Sequence, residues 1–165
     1  GDFQVELEMG KPLFGSEEIP LSKKIDPRNV DLSINNQKFS NGFCVNVGNP
    51  HIIFFGKDYI NRDLKVIGPK IENHDLFPEK TNVTFADVID KKNIKVSVWE
   101  RGAGLTKACG TAACATAVAS FSKNLTEREV QIAFDQGSLK IKYDSNKNIF
   151  MTGSVSKIKK MDISI

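Results

Sequence analysis

Cys109, Gly110 and Thr111 stand together where a glycine-rich turn gives way to a run of small apolar residues. The first turn of a helix carries amide N–H groups without partners, and with them partial positive charge. A thiol set there is expected to ionise below its usual range, and the same amides can cradle a carboxylate. Glycine lets a ligand approach the backbone, and threonine can cap or donate through its hydroxyl. The chemistry this offers is proton transfer at a small acid, or nucleophilic attack on one. The competing reading is a plain buried thiol. That reading suits Cys44, inside a strand-like stretch, and Cys114, inside the apolar run.

Glu100 and Arg101 lead into the same turn. As an exposed ion pair they would contribute little. At a strand end they offer an acceptor for an ammonium and a fork for a carboxylate, the two groups of an amino acid. Gly48-Asn49-Pro50-His51 reads first as a tight connection between strands. His51 and His74 pair with no cysteine at a ligand spacing, so no metal is expected. Three cysteines, an odd number without a C-x-x-C, suggest a reducing cytoplasm rather than a disulfide framework.

These residues need a frame, and the hydrophobic pattern supplies one. Short alternating stretches predict strands at 3–9, 30–34, 43–47, 52–55, 82–88, 94–99, 130–134, 138–143 and 149–152. Asn35-Asn36, Gln136-Gly137 and residues 145–148 supply turn chemistry between them. A weak helix is expected at 61–67, stopped by Gly68-Pro69. A second, at 111–122, carries no charge before Lys123 and must be buried on all sides, with Asn124 as its stop. Residues 126–129 read as a simple turn in preference to a capping box. The expected fold is α+β: a strongly curved antiparallel sheet or barrel wrapped round one central buried helix.

At 165 residues, 40% hydrophobic and 26% charged, the chain has the size and balance of one globular domain, residues 1–165. A net charge of +3 is too small to argue for nucleic acid, and Lys157, Lys159 and Lys160 read as a solvated strand edge. No apolar run nears the ~18 residues of a membrane span. The strand-like opening GDFQVELEMG is abrupt and points to a piece of a longer chain.

Together the motifs resemble the diaminopimelate epimerase family. The likeness rests on GNPH at 48–51, GPKIENHDLFPEKTNV at 68–83 and ERGAGLTKACGTAACA at 100–115, with weaker likeness in EMGKPLF and QGSLKIKY. The resemblance implies a pyridoxal-independent inversion of LL-diaminopimelate to its meso form, on the route to lysine and peptidoglycan, with no cofactor. Two cysteines face opposite sides of the α-carbon, one as thiolate base and one as thiol acid. Cys109 resembles the second. Gly110 and Thr111 would hold the α-carboxylate, and Glu100 and Arg101 the distal end, with Asn49 and Asn82 completing the pocket. His51 would shape the site.

The family's first cysteine lies in a C-G-N-G motif of an N-terminal half, and this sequence has none. The resemblance therefore implies a C-terminal half, inactive alone, whose partners are its substrate, the missing half and a possible second copy. The alternatives are a non-catalytic binding or interaction module built on the same fold, or half of a related cofactor-independent racemase.

Overall fold

The computed structural model describes residues 3–155, and the lysines at 157, 159 and 160 lie outside them. Among the described residues, ten strands and three helices follow one another. They run β1 (Phe3–Gly10), β2 (Val30–Ile34), β3 (Gln37–Asn46), β4 (Pro50–Phe55), α1 (Lys57–Ile60), α2 (Leu64–Glu72) and β5 (Asn82–Val88). Then come β6 (Asn93–Glu100), β7 (Gly104–Thr106), α3 (Gly110–Ser122), β8 (Glu129–Phe134), β9 (Gly137–Tyr143) and β10 (Ile149–Val155). Local chemistry explains the joints. Asn35 and Asn36 sit at φ 50° and 61°, the left-handed pair that turns β2 straight into β3.

All strands belong to one sheet, ordered β1-β10-β9-β8-β6-β5-β4-β3-β2, with β7 branching from β6. The sheet is mixed, which corrects the expected antiparallel one: β4 runs parallel to β5, and β6 parallel to β8. Parallel neighbours need a long crossover, and the helices provide both. α1 and α2 carry the chain from β4 to β5, and α3 lies between β6 and β8. The sheet also does not close into a barrel, since β1 and β2 remain as its two ends.

Buried side chains fall into two clusters. Phe43, Val45, Ile53 and Ala86 pack with α3, whereas the alternate residues Cys44, Ile52, Phe54, Val83 and Phe85 pack with α2. Strands β3 to β5 are thus covered on both faces, and their period-2 alternation sends neighbours to opposite cores. Cys44 belongs to the α2 side, away from Cys109 and Cys114.

Residues 112–120 of α3 are all buried, and the helix touches β3, β4, β5, β8, β9 and β10. Its buried hydroxyls are satisfied: Thr116 donates to Ala112 O at 2.7 Å, and Ser120 lies 2.7 Å from Thr126 Oγ1. Asn124, at φ 58°, ends the helix, and Leu125 N–H closes back on Ser120 O at 2.9 Å. Thr126 then leads through a turn into β8, not into a helix.

The weak helix is displaced from its expected place. Leu64–Glu72 runs straight through Gly68-Pro69, after a separate short α1. Proline removes the bond to the Lys65 carbonyl and crowds it with its ring, and because Lys65 is exposed that carbonyl can tilt out to water. Asp63 caps the start by accepting from Lys65 N–H, and Asn73 closes the end on Pro69 O at 2.7 Å. Among the described residues, no helix is long and apolar enough to cross a membrane.

Candidate active site

Cys109 is the N-cap residue of α3, in extended backbone at φ −149° and ψ 113°. Its side chain makes no capping bond, unlike that of Asp63 at the start of α2. The first intrahelical bond runs from Ala113 N–H to Cys109 O at 3.0 Å, so the amides of Gly110, Thr111 and Ala112 precede the ladder. Gly110 lies close under Met151: a Cβ there would stand 3.0 Å from Met151 Sδ, and that side chain would have to give way.

The Cys109 sulfur lies 3.5 Å from Thr111 Oγ1 and is almost wholly buried. Burial pushes its pKa above the ordinary thiol value. The Thr111 hydroxyl and the Ala112 amide pull it down, while Glu100 raises it by repelling a thiolate and hydrogen-bonding the protonated form. The helix terminus therefore does not win, and the expected lowering is reversed. The thiol keeps its proton at neutral pH. Cys114, deep in α3, is pushed up to about 12, and Cys44 is raised further still by complete burial.

This gives a direct measurement. Alkylation follows the thiolate fraction, and Cys44 and Cys114 are fully buried, so a small alkylating agent reads Cys109. The pH midpoint should lie above that of a peptide thiol. Glu100→Gln removes one of the raising influences and should move it to lower pH. An unmoved midpoint would mean that Glu100 does not act on the sulfur.

A second group lies along the β4–β5 edge. His51 is fully buried, pairs in register with Asn82, and has Nε2 2.8 Å from Asn49 Oδ1, to which it donates. Its pKa is lowered to about 3, by burial first and by the Arg101 charge second, so the imidazole is neutral at working pH. Asn82 is also buried; it donates to Pro50 O at 2.8 Å and accepts from Arg101 N–H at 2.8 Å. The Arg101 guanidinium donates to Glu79 O at 3.0 Å.

Glu100 and Arg101 thus part company. Glu100 ends β6, and Arg101 is the first residue of the turn that follows. Glu100 acts on Cys109, whereas Arg101 bonds Asn82 through its backbone N–H and sets its charge near His51. Sequence reading missed two further residues, Glu72 and Trp99. Glu72 is buried, and its carboxylate accepts from Trp99 Nε1–H at 2.7 Å and from Gly102 N–H at 3.0 Å. The signal was present: Glu72 shares the buried face of α2 with Leu64, Ile67, Gly68 and Ile71.

Comparison with known proteins fixes the family. A family model described as diaminopimelate epimerase matches residues 43–158. The chain belongs to the diaminopimelate epimerase family. It is 56% identical over 168 residues to a diaminopimelate epimerase of Pelagibacter ubique (strain HTCC1062), covering 100% of this chain and 61% of that protein. A diaminopimelate epimerase of Rhodopseudomonas palustris (strain BisA53) is 43% identical over 155 residues, covering 91% and 54%. The chain therefore spans little more than half the length of the relatives it matches.

Two solved structures share the fold at low identity. A probable proline racemase from Agrobacterium radiobacter K84 superposes with TM-score 0.61 at 12% identity, over 92% of this chain and 50% of that one. A hydroxyproline epimerase from Agrobacterium vitis gives TM-score 0.61 at 9% identity, over 91% and 50%.

Proposed function

We propose that this family member is the C-terminal part of an epimerase that interconverts LL- and meso-diaminopimelate without pyridoxal. The reading is carried by one arrangement: a protonated Cys109 thiol at the uncapped mouth of α3, with Glu100 facing it. In this reading α3 is the axial helix of one half of the enzyme, with the sheet curved about it.

A proton must leave one face of the α-carbon and arrive on the other. Cys109, which holds its proton at neutral pH, acts as the acid on one face. The base on the opposite face comes from the remainder of the complete protein, since Cys44 belongs to the other core and Cys114 is buried within the helix. As negative charge moves into the α-carboxylate, the amides of Gly110 and Thr111 stabilise it from a fixed position. Glu100 accepts from the substrate's ammonium and keeps the thiol protonated until delivery. Arg101, with Asn49 and Asn82, takes the distal end of the substrate, and neutral His51 holds Asn49 in place.

The β1–β10 ribbon supports a second part docking beside this mouth. Phe3, Val5 and Leu7 of β1 and Val155 of β10 are exposed, and Leu7 pairs with Met151, which touches Gly110. Such an apolar face next to a site is characteristic of an interface.

Exchange of the substrate α-proton in deuterium oxide tests the reading. This chain alone should catalyse none, and joining it with the N-terminal part of its relatives' length should restore exchange and stereoinversion. Exchange by the chain alone would overturn the two-sided mechanism, and silence of the completed protein would overturn the assigned activity.

A further inference from the structure

We infer that Glu72 is a positioning residue for the substrate-binding arginine: it fixes the turn that presents Arg101, acting from helix α2 through Trp99 and Gly102. The inference rests on the epimerase reading above for what Arg101 binds, but its geometry stands independently.

The turn runs from Glu100 to Ala103, closed by Ala103 N–H on Glu100 O at 3.1 Å. Gly102 sits at φ 76°, which glycine adopts without strain. Both central amides are pinned by buried side chains, Arg101 N–H by Asn82 Oδ1 and Gly102 N–H by Glu72 Oε1. The turn is therefore gripped from two directions, by β5 and by α2.

Helix α2 is shaped to reach it. Gly68 and Glu72 are four residues apart and lie on one helix face. A Cβ on Gly68 would stand 2.6 Å from Trp99 Cγ, so the indole lies directly on the helix backbone there. One turn later Glu72 takes the indole N–H with one oxygen and the Gly102 N–H with the other. A carboxylate accepting two N–H groups in a buried place is a strong and geometrically demanding tie. Neither bond is required to close the helix or the sheet. What they fix is the angle at which the chain leaves β6, just where Arg101 projects.

Glu100 depends on this tie far less. It is the last residue of β6 and pairs in register with Gly104 of β7. Loss of Glu72 should free Arg101 while leaving Glu100 beside Cys109, which separates substrate binding from proton delivery.

The test uses Glu72→Gln in the complete protein that carries this chain. An amide offers one acceptor oxygen, so one of the two N–H groups loses its partner. KM for diaminopimelate should rise about tenfold with kcat within about twofold of wild type. In an Arg101→Ala background the same change should raise KM no further. Trp99, the one tryptophan of these 165 residues, should report the broken bond as a change in emission that is absent from a Trp99→Phe background. Equal falls in kcat and kcat/KM, or a KM loss that adds fully to that of Arg101→Ala, would overturn the proposal.

A second measurement needs no variant. The Gly102 amide of the wild-type protein should be protected from hydrogen exchange, and exchange at the rate of an open loop would also overturn it. If the wild-type protein lacked epimerase activity, the functional reading would fail, while emission and amide protection would still decide whether Glu72 holds the turn.

Discussion

Cys109→Ala in the complete protein is expected to lower interconversion of LL- and meso-diaminopimelate roughly 10³-fold, the scale of a lost general acid. Stability should fall by no more than about 1 kcal/mol, the cost of truncating one nearly buried thiol. The Cys109 side chain makes no capping bond, so alanine keeps the extended backbone and gives up only the weak contacts of sulfur with the Thr111 hydroxyl and the Ala112 amide. Thermal unfolding should therefore stay cooperative and shift by only a few degrees while stereoinversion is lost. Cys114→Ala supplies the opposite control. That residue is fully buried in α3, so its loss leaves a small cavity that lowers stability by about 1 kcal/mol without touching the reaction. A Cys109→Ala protein that retained full activity would remove this thiol from the mechanism.

The frame around that thiol was largely legible in the sequence because the strands alternate so regularly. Val30–Ile34 and Asn82–Val88 fall where the pattern puts them, and the uncharged run after Cys109 is α3 almost to the residue. β7 escaped notice because three residues, one of them Gly104 at φ 89°, carry no periodicity. Strand direction escaped because a hydrophobic pattern is the same read either way, and only the crossover helices force β4–β5 and β6–β8 to be parallel. α2 was cut short because Gly68-Pro69 reads as punctuation. In the fold, Gly68 is the packing seat for Trp99.

At the site, residue types and local spacing nominated candidate residues but not which of them the fold sets against one another. The helix terminus at Cys109 is visible in the sequence and argues for a low pKa. Burial and the approach of Glu100 from the end of β6 are tertiary, and they reverse the sign. Likewise, adjacency in sequence suggested that Glu100 and Arg101 act as a unit. The end of β6 falls between them, leaving Glu100 to act on the thiol and tying the Arg101 amide to Asn82 in the turn.

That edge yields the second large effect. Asn82→Asp keeps the side-chain shape and one acceptor for Arg101 N–H. In the same place it sets a carboxylate oxygen against Pro50 O, where Nδ2 now donates at 2.8 Å. Two acceptors without a proton between them cannot share a buried site, so the variant should lose about 2–3 kcal/mol of stability. Protonating the new carboxyl would restore the bond to Pro50, so its folded-state pKa must lie above the unfolded value of about 3.9. The deficit is then full at neutral pH, narrows as pH falls through the raised folded-state pKa, and levels off near the unfolded value. Because Asn82 joins the Asn49-Pro50-His51 stretch to the Arg101 turn, kcat/KM should fall about 100-fold, mainly through KM. A KM rise with unchanged, pH-independent stability would instead make Asn82 a ligand contact alone, with no part in tying β4 to the arginine turn.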